Sequence, residues 1–149
     1  MTGLELLHGI RTGAIPPPGF AVLLDLTLEN VEEGRVTFAL EPGDAHLNPL
    51  GTVHGGLLAT MLDSAMGCAV QSVLPADASY TTLQLDVKYV RSPPLGRGRI
   101  VAEGTVVHAG RRTATAEGRV LDADGRLCAH ATTTCLVLPG RELRAQATR

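Results

Sequence analysis

Aromatic side chains are nearly missing from this chain: there is no Trp, and only two Tyr and two Phe. The core must therefore be built from Val, Leu, Ala and Ile, and stacking platforms for single-stranded nucleic acid are excluded. Excess positive charge is missing too. Thirteen Lys and Arg stand against fifteen Asp and Glu, for a net charge of −2 and a pI near 6.2, which leaves no basic footprint for duplex DNA. The three cysteines, Cys68, Cys128 and Cys135, form no Cys-x-x-Cys pair and sit in apolar runs. They read as buried, reduced thiols of a cytoplasmic protein. No long hydrophobic run exists either. The most apolar stretch, Gly55 to Val70, is broken by Asp63 and followed by Gln71, too short for a membrane span. Met1 to Leu7 has neither a basic region nor a continuous apolar one, so no signal peptide is expected. No Ser lies in Gly-x-Ser-x-Gly, which removes a serine-hydrolase elbow. His46 and His54 are not at a zinc-protease spacing, and no Cys or acid completes a tetrahedral set, so no metal is expected.

What is present fits one compact domain over residues 1–149. The expected organisation is an N-terminal helix and loop (1–19), a core (20–138) and a polar tail (139–149). Thr2 is positioned to cap a short helix to Ile10, and Pro16-Pro17-Pro18-Gly19 then breaks regular structure. Phe20–Glu29 and Gly34–Glu41 read as strands joined by a turn over Asn30–Glu33. Asp44–Val53 reads as a loop. Gly55 to about Leu74 is the one long helical candidate, and it is apolar nearly all round, so it must be enclosed on most sides. Strands are expected near Tyr80–Arg91, Arg97–His108, Arg111–Asp122 and Arg126–Leu138, with short turns making successive strands antiparallel. An antiparallel sheet with one apolar helix implies a sheet curled around that helix, extended by a partner subunit.

Asp63 is the only charge between Gly55 and Val70. A carboxylate in an apolar setting is costly unless it is hydrogen-bonded or functional. Taken alone, it fits a solvent-facing or interface stripe as well as a catalytic base. His54-Gly55-Gly56 opens the helix, where unpaired N–H groups and the helix dipole favour a developing oxyanion; a glycine-rich helix entry with no such role has the same sequence. Asn48 is a turn former whose amide is also able to orient a water or a carbonyl. His54 and Asp63 are nine residues apart, about two and a half turns and roughly 13 Å of rise, on opposite sides of the helix. One subunit does not easily aim both at one carbonyl. Two subunits whose helices run antiparallel across a two-fold can.

The run Asn48-Pro49-Leu50-Gly51-Thr52-Val53-His54-Gly55-Gly56, with Asp63 nine residues after the His, closely resembles the phenylacetate-degradation-type (PaaI-like) hotdog thioesterases. Thr81-Thr82-Leu83-Gln84-Leu85, Tyr89-Val90-Arg91-Ser92-Pro93 and the turns at Gly110-Arg111-Arg112 and Gly125-Arg126-Leu127 extend the resemblance over about residues 20–138. It implies an α+β hotdog fold, an antiparallel sheet wrapped around one long central helix, pairing into a homodimer with a continuous sheet and commonly a homotetramer. It also implies acyl-CoA hydrolysis without metal or organic cofactor. Carried over, Asp63 is the nucleophile or general base and the Gly55 N–H polarises the thioester oxygen. His54 and Asn48 support the loop and the attacking water, which Thr82 helps to hold. Tyr89, Val90, Arg91, Ser92, Pro93, His108, Gly110, Arg111 and Arg112 fall where the family binds substrate and CoA, with Arg97 and Lys88 nearby. Asp rather than Glu at position 63 resembles the PaaI-like branch more than the branches acting on dihydroxynaphthoyl-CoA or 4-hydroxybenzoyl-CoA. A hotdog hydratase and a non-catalytic acyl-CoA sensor are the competing readings. The acyl group stays open, with Met61, Met66 and Leu83 expected to set the pocket length.

Overall fold

The computed structural model describes residues 1–140; the expected polar tail lies, beyond Gly140, outside them. Helix α1 (Gly3–Thr12) starts on the expected Thr2 cap, which Glu5 completes as a capping box by exchanging hydrogen bonds with Thr2. Six strands follow among the described residues: β1 (Thr27–Glu32), β2 (Arg35–Leu40), β3 (Ala78–Tyr89), β4 (Ile100–Ala109), β5 (Thr113–Leu121) and β6 (Leu127–Pro139). They form one antiparallel sheet in the order β1-β2-β4-β5-β6-β3.

Two expectations fail here. Phe20 to Leu24 is not strand: Gly19–Leu23 forms a short helix, α2, with Pro18 as its N-cap. Short apolar runs carry no period that separates helix from strand. Here the amides of Ala21 and Val22 reach back to the Pro18 carbonyl, and Asp25 ends the turn at φ 56°, a left-handed geometry that Asp tolerates. The hairpin turn accordingly shifts to Glu33-Gly34, with Glu32 opposite Arg35. Nor is β3 beside β4. It pairs with β6, leaving β2 to pair with β4, because the stretch from Val90 to Arg99 crosses the sheet instead of closing a hairpin.

The long helix, α3 (Gly55–Val73), packs across every strand, with α1 lying against it from the other side. That enclosure explains why it needs no polar face. Its seat in the sheet is made by two paired glycines, Gly104 of β4 and Gly118 of β5. A Cβ on Gly104 would fall 2.4 Å from the backbone carbon of Ala65, and one on Gly118 would fall 2.9 Å from Met66. Met61 and Met66 are fully buried in the core, and Leu83, the extra residue of a β-bulge, is 59% exposed. None of the three lines the apolar pocket beside Asp63, and Leu83 lies on the open edge of the sheet. No helix among the described residues is long and apolar enough to cross a membrane.

Candidate active site

α3 begins at a loop that is tied down by its own polar side chains. Asn48 Oδ1 accepts from the amides of Leu50 and Thr52, and its Nδ2 donates to Thr52 Oγ1 at 2.8 Å. The Asn48 amide thus shapes the loop. The His54 amide donates to the His46 carbonyl. His46, almost buried, accepts the Gly43 amide on Nδ1, so its neutral ring donates from Nε2 to the Leu24 carbonyl at 2.7 Å. His54 is the N-cap of α3: its Nδ1 accepts from the Gly56 amide at 2.8 Å. The Leu57 amide turns back to the His54 carbonyl. Among the described residues no acceptor takes the Gly55 N–H, which stays available at the positive end of the helix.

Tyr89 completes this corner. Its hydroxyl donates to the Gly55 carbonyl at 2.7 Å, and its ring stands 3.2 Å from where a Gly55 Cβ would be. The peptide unit between Gly55 and Gly56 is therefore held at both ends, by Tyr89 on its carbonyl and by His54 on its N–H. The neighbouring Gly55 N–H inherits that fixed orientation.

Asp63 lies eight residues further along α3, roughly 12 Å up the axis. It is half-buried, and Thr82 Oγ1 donates to its Oδ1 at 2.9 Å. Thr82 sits beside the β3 bulge. Asp63 opens into an apolar pocket of about 240 Å³ under α1 and α2, walled by Leu7, Ile10, Phe20, Leu28 and Phe38, with Tyr80 and Cys68 near the carboxylate. Burial pushes the Cys68 thiol up to about 12, and the Asp63 charge adds to it. The Tyr80 phenol is pushed well up by burial, with Cys68, Asp63 and Cys135 contributing. Both stay neutral donors at physiological pH. The pocket residues were not visible from spacing, because six separate elements bring them together. The one available signal is the helical series Asp63, Ser64 and Cys68, a polar stripe on an otherwise apolar helix.

The residues expected to hold CoA fall into two groups. Val90 and Arg91 follow β3 at the Gly55 end of α3, both amides donating to the Cys128 carbonyl; Ser92 is exposed and Pro93 buried. Gly110, Arg111 and Arg112 occupy the β4–β5 turn instead, beside Val73, Leu74 and Pro75 at the far end of α3, and His108 stands near the end of β4. Arg111 and Arg112 are exposed and in no ion pair among the described residues, whereas Lys88 pairs with Asp86. Twelve residues of β3 separate the two groups, about 40 Å of strand. Among the described residues, no three His, Cys, Asp or Glu side chains gather to hold a metal.

Comparison with known proteins fits this geometry. Residues 50–129 match the model of the thioesterase superfamily. The chain is 29% identical over 109 residues to human acyl-coenzyme A thioesterase 13, covering 72% of this chain and 76% of that one. Among solved structures, a phenylacetic acid degradation-related protein of Ralstonia eutropha superposes with a TM-score of 0.76 at 30% identity, covering 87% of this chain and 98% of that one. A Streptococcus mutans protein bound to acetyl CoA superposes with a TM-score of 0.71, also at 30% identity, covering 78% and 91%. The sheet wrapped around α3 is the hotdog fold of these relatives, and with more than half of its length in the family match the chain belongs to the thioesterase superfamily.

Proposed function

We propose that the protein hydrolyses an acyl-CoA thioester to the free acid and CoA, with Asp63 as the nucleophile or general base. The observation that carries this reading is the Asp63 carboxylate itself, oriented by the Thr82 hydroxyl at the mouth of an apolar pocket. The acyl-CoA thioesterase among the relatives and the acetyl CoA complex among the similar structures support the substrate class. In the general-base form, Asp63 takes a proton from water as the oxygen adds to the thioester carbon. The tetrahedral oxyanion rests on a backbone N–H, a contact worth on the order of 3 kcal/mol. Collapse breaks the C–S bond and the thiolate leaves. With a thiol pKa of roughly 8.5 it needs no strong acid to depart. In the nucleophilic form, Asp63 attacks directly and water cleaves the resulting anhydride. Both forms require the ionised carboxylate.

The Gly55 N–H that serves this oxyanion belongs to a second chain in this reading. β3 is an edge strand of twelve residues, and an unpaired edge of that length is a template for pairing. Two β3 edges running antiparallel would set the Gly55–Tyr89–Arg91 end of one chain beside Asp63 and Thr82, at the middle of the strand, of the other. Arg111 and Arg112 then approach the partner's Arg91 to hold phosphate, which suits the Arg fork. The assembly is thus a homodimer, pairing further into a homotetramer, of the PaaI-like type. The three cysteines, unbonded among the described residues, fit a cytoplasmic location.

The test is thiol release from a panel of acyl-CoAs by wild type and Asp63→Asn. The variant keeps the shape and loses the charge, so turnover should fall at least ~100-fold with folding intact. Near-wild-type turnover by Asp63→Asn would sink the mechanism. Absence of thiol release across the panel, with binding intact, would favour an acyl-CoA sensor.

A further inference from the structure

We propose that the N-terminal segment, α1 through Leu26, is the roof of the acyl site and limits it to uncharged acyl groups of up to about ten carbons. This rests on the thioesterase reading for the identity of the ligand, but the pocket and its walls stand apart from it. Size sets the first limit. A cavity of about 150 Å³ lined by aliphatic and aromatic side chains takes a benzene ring; scaled from that, the 240 Å³ here corresponds to about ten carbons. Charge sets the second. No Lys, Arg or His lines the pocket, and Asp63 is the sole acid. A carboxylate at the far end of an acyl chain would be buried without a partner and held near another negative charge, which is strongly disfavoured. One hydroxyl near the thioester is tolerated, because Ser64 and Tyr80 line the same pocket.

The roof is built to hold its position. At the start of α1, a Cβ on Gly3 would fall 2.0 Å from the Gln71 carbonyl oxygen, so this end sits directly on the C-terminal part of α3. The Ile15 side chain packs onto Gly9, and its amide donates to the Gly9 carbonyl at 3.0 Å. Three prolines stiffen the link to α2. The end of α2 is closed by the Leu26 amide on the Ala21 carbonyl at 2.8 Å, and its Leu24 carbonyl takes the His46 ring. A roof tied to the rest of the fold at Gly3 and Leu24 and braced within itself at Gly9 and Ala21 defines a length rather than adapting to one. Phe20 is the exception. It lines the pocket yet is 44% exposed, which makes it the wall through which a longer chain would leave.

The experiment measures binding of S-hexyl-, S-octyl-, S-dodecyl- and S-hexadecyl-CoA thioethers, which are not hydrolysed, to the wild-type protein by calorimetry. Affinity should rise about fourfold per methylene while methylenes are being buried, then stop rising between eight and twelve carbons. Phe20→Ala should move that break to longer chains by two carbons or more, and Ile10→Phe should move it to shorter ones. Each variant is checked for an unchanged thermal transition. A thioether ending in a carboxylate should bind at least tenfold more weakly than the alkyl one of equal length. Affinity climbing evenly to sixteen carbons, a break that neither variant moves, or no thioether binding at all would each overturn the proposal. A profile with the expected break but no thiol release from any acyl-CoA would leave the site standing and remove the hydrolase.

Discussion

His54 does two things with one ring: it caps α3 through Nδ1 and, with Tyr89, holds the peptide unit next to the Gly55 amide. The capping role predicts a separable pair of effects. His54→Ala should cost about 1 kcal/mol of stability and several-fold in turnover, as the Gly55 N–H loses its fixed direction. His54→Asn supplies a good cap of different chemistry and should restore both, read by thermal unfolding and by thiol release. Restored stability with turnover still at the level of His54→Ala would mean that the imidazole acts on the substrate itself. Asp63 was legible in the sequence because a lone charge on an apolar helix is costly and so demands a reason. Thr82 was legible only through the resemblance of its segment. The contacts of Tyr89 with Gly55 and of His46 with Leu24 were not legible, since each joins segments more than twenty residues apart, and the fold alone decides that they meet.

At the level of elements, local chemistry was readable wherever a turn or cap announced itself. The Thr2 cap, the Gly55 start of α3 and the Asp122-Ala123-Asp124-Gly125 turn all fall where expected. That last turn also makes a pH prediction. The Asp122 side chain is 1% exposed, and its carboxylate accepts the amides of Arg126 and Asp124 and the Arg126 Nε. These bonds, the Arg126 amide first, hold its carboxyl below the usual aspartate range. Because the folded value is depressed, the stabilisation is complete above the ordinary aspartate pKa of about 3.9 and is lost as pH falls through the folded value. The gap in unfolding temperature between wild type and Asp122→Asn should therefore be widest near neutral pH and narrow below about pH 4. A gap that stays constant down to pH 2.5 would show that the carboxylate charge is irrelevant to the turn. What could not be read is where elements approach one another. α2 looked like strand because its helical hydrogen bonds depend on Pro18 and on Asp25 turning left-handed. The glycines of β4 and β5 carried no sign that a helix backbone would rest on them.

For the molecule as a whole, the pattern of one fully apolar helix among antiparallel strands was enough to imply a sheet curled around it. The strand order was not, because nothing in the stretch from Val90 to Arg99 states how many strands it crosses. That order matters, since it leaves β3 as an edge with Gly55 at its Tyr89 end and Asp63 beside its middle, at Thr82. If β3 edges pair across a two-fold, each active site takes its carboxylate from one chain and its oxyanion donor from the other, and activity belongs to the dimer. Complementation tests this directly. Asp63→Asn chains and Gly55→Val chains should each be inactive alone, the second because the added side chain would meet the Tyr89 ring and displace the donor. In a mixed dimer, one site collects both lesions and the other collects neither. Random pairing makes half of the dimers mixed, each with one intact site of two, so re-equilibrated mixtures should recover roughly a quarter of wild-type turnover. Exchange is followed with chains carrying distinguishable tags. Demonstrated exchange with no recovery of thiol release would place the carboxylate and its oxyanion donor within a single chain, and Gly55 would then be the wrong donor, because the helix that carries it also carries Asp63 roughly 12 Å away.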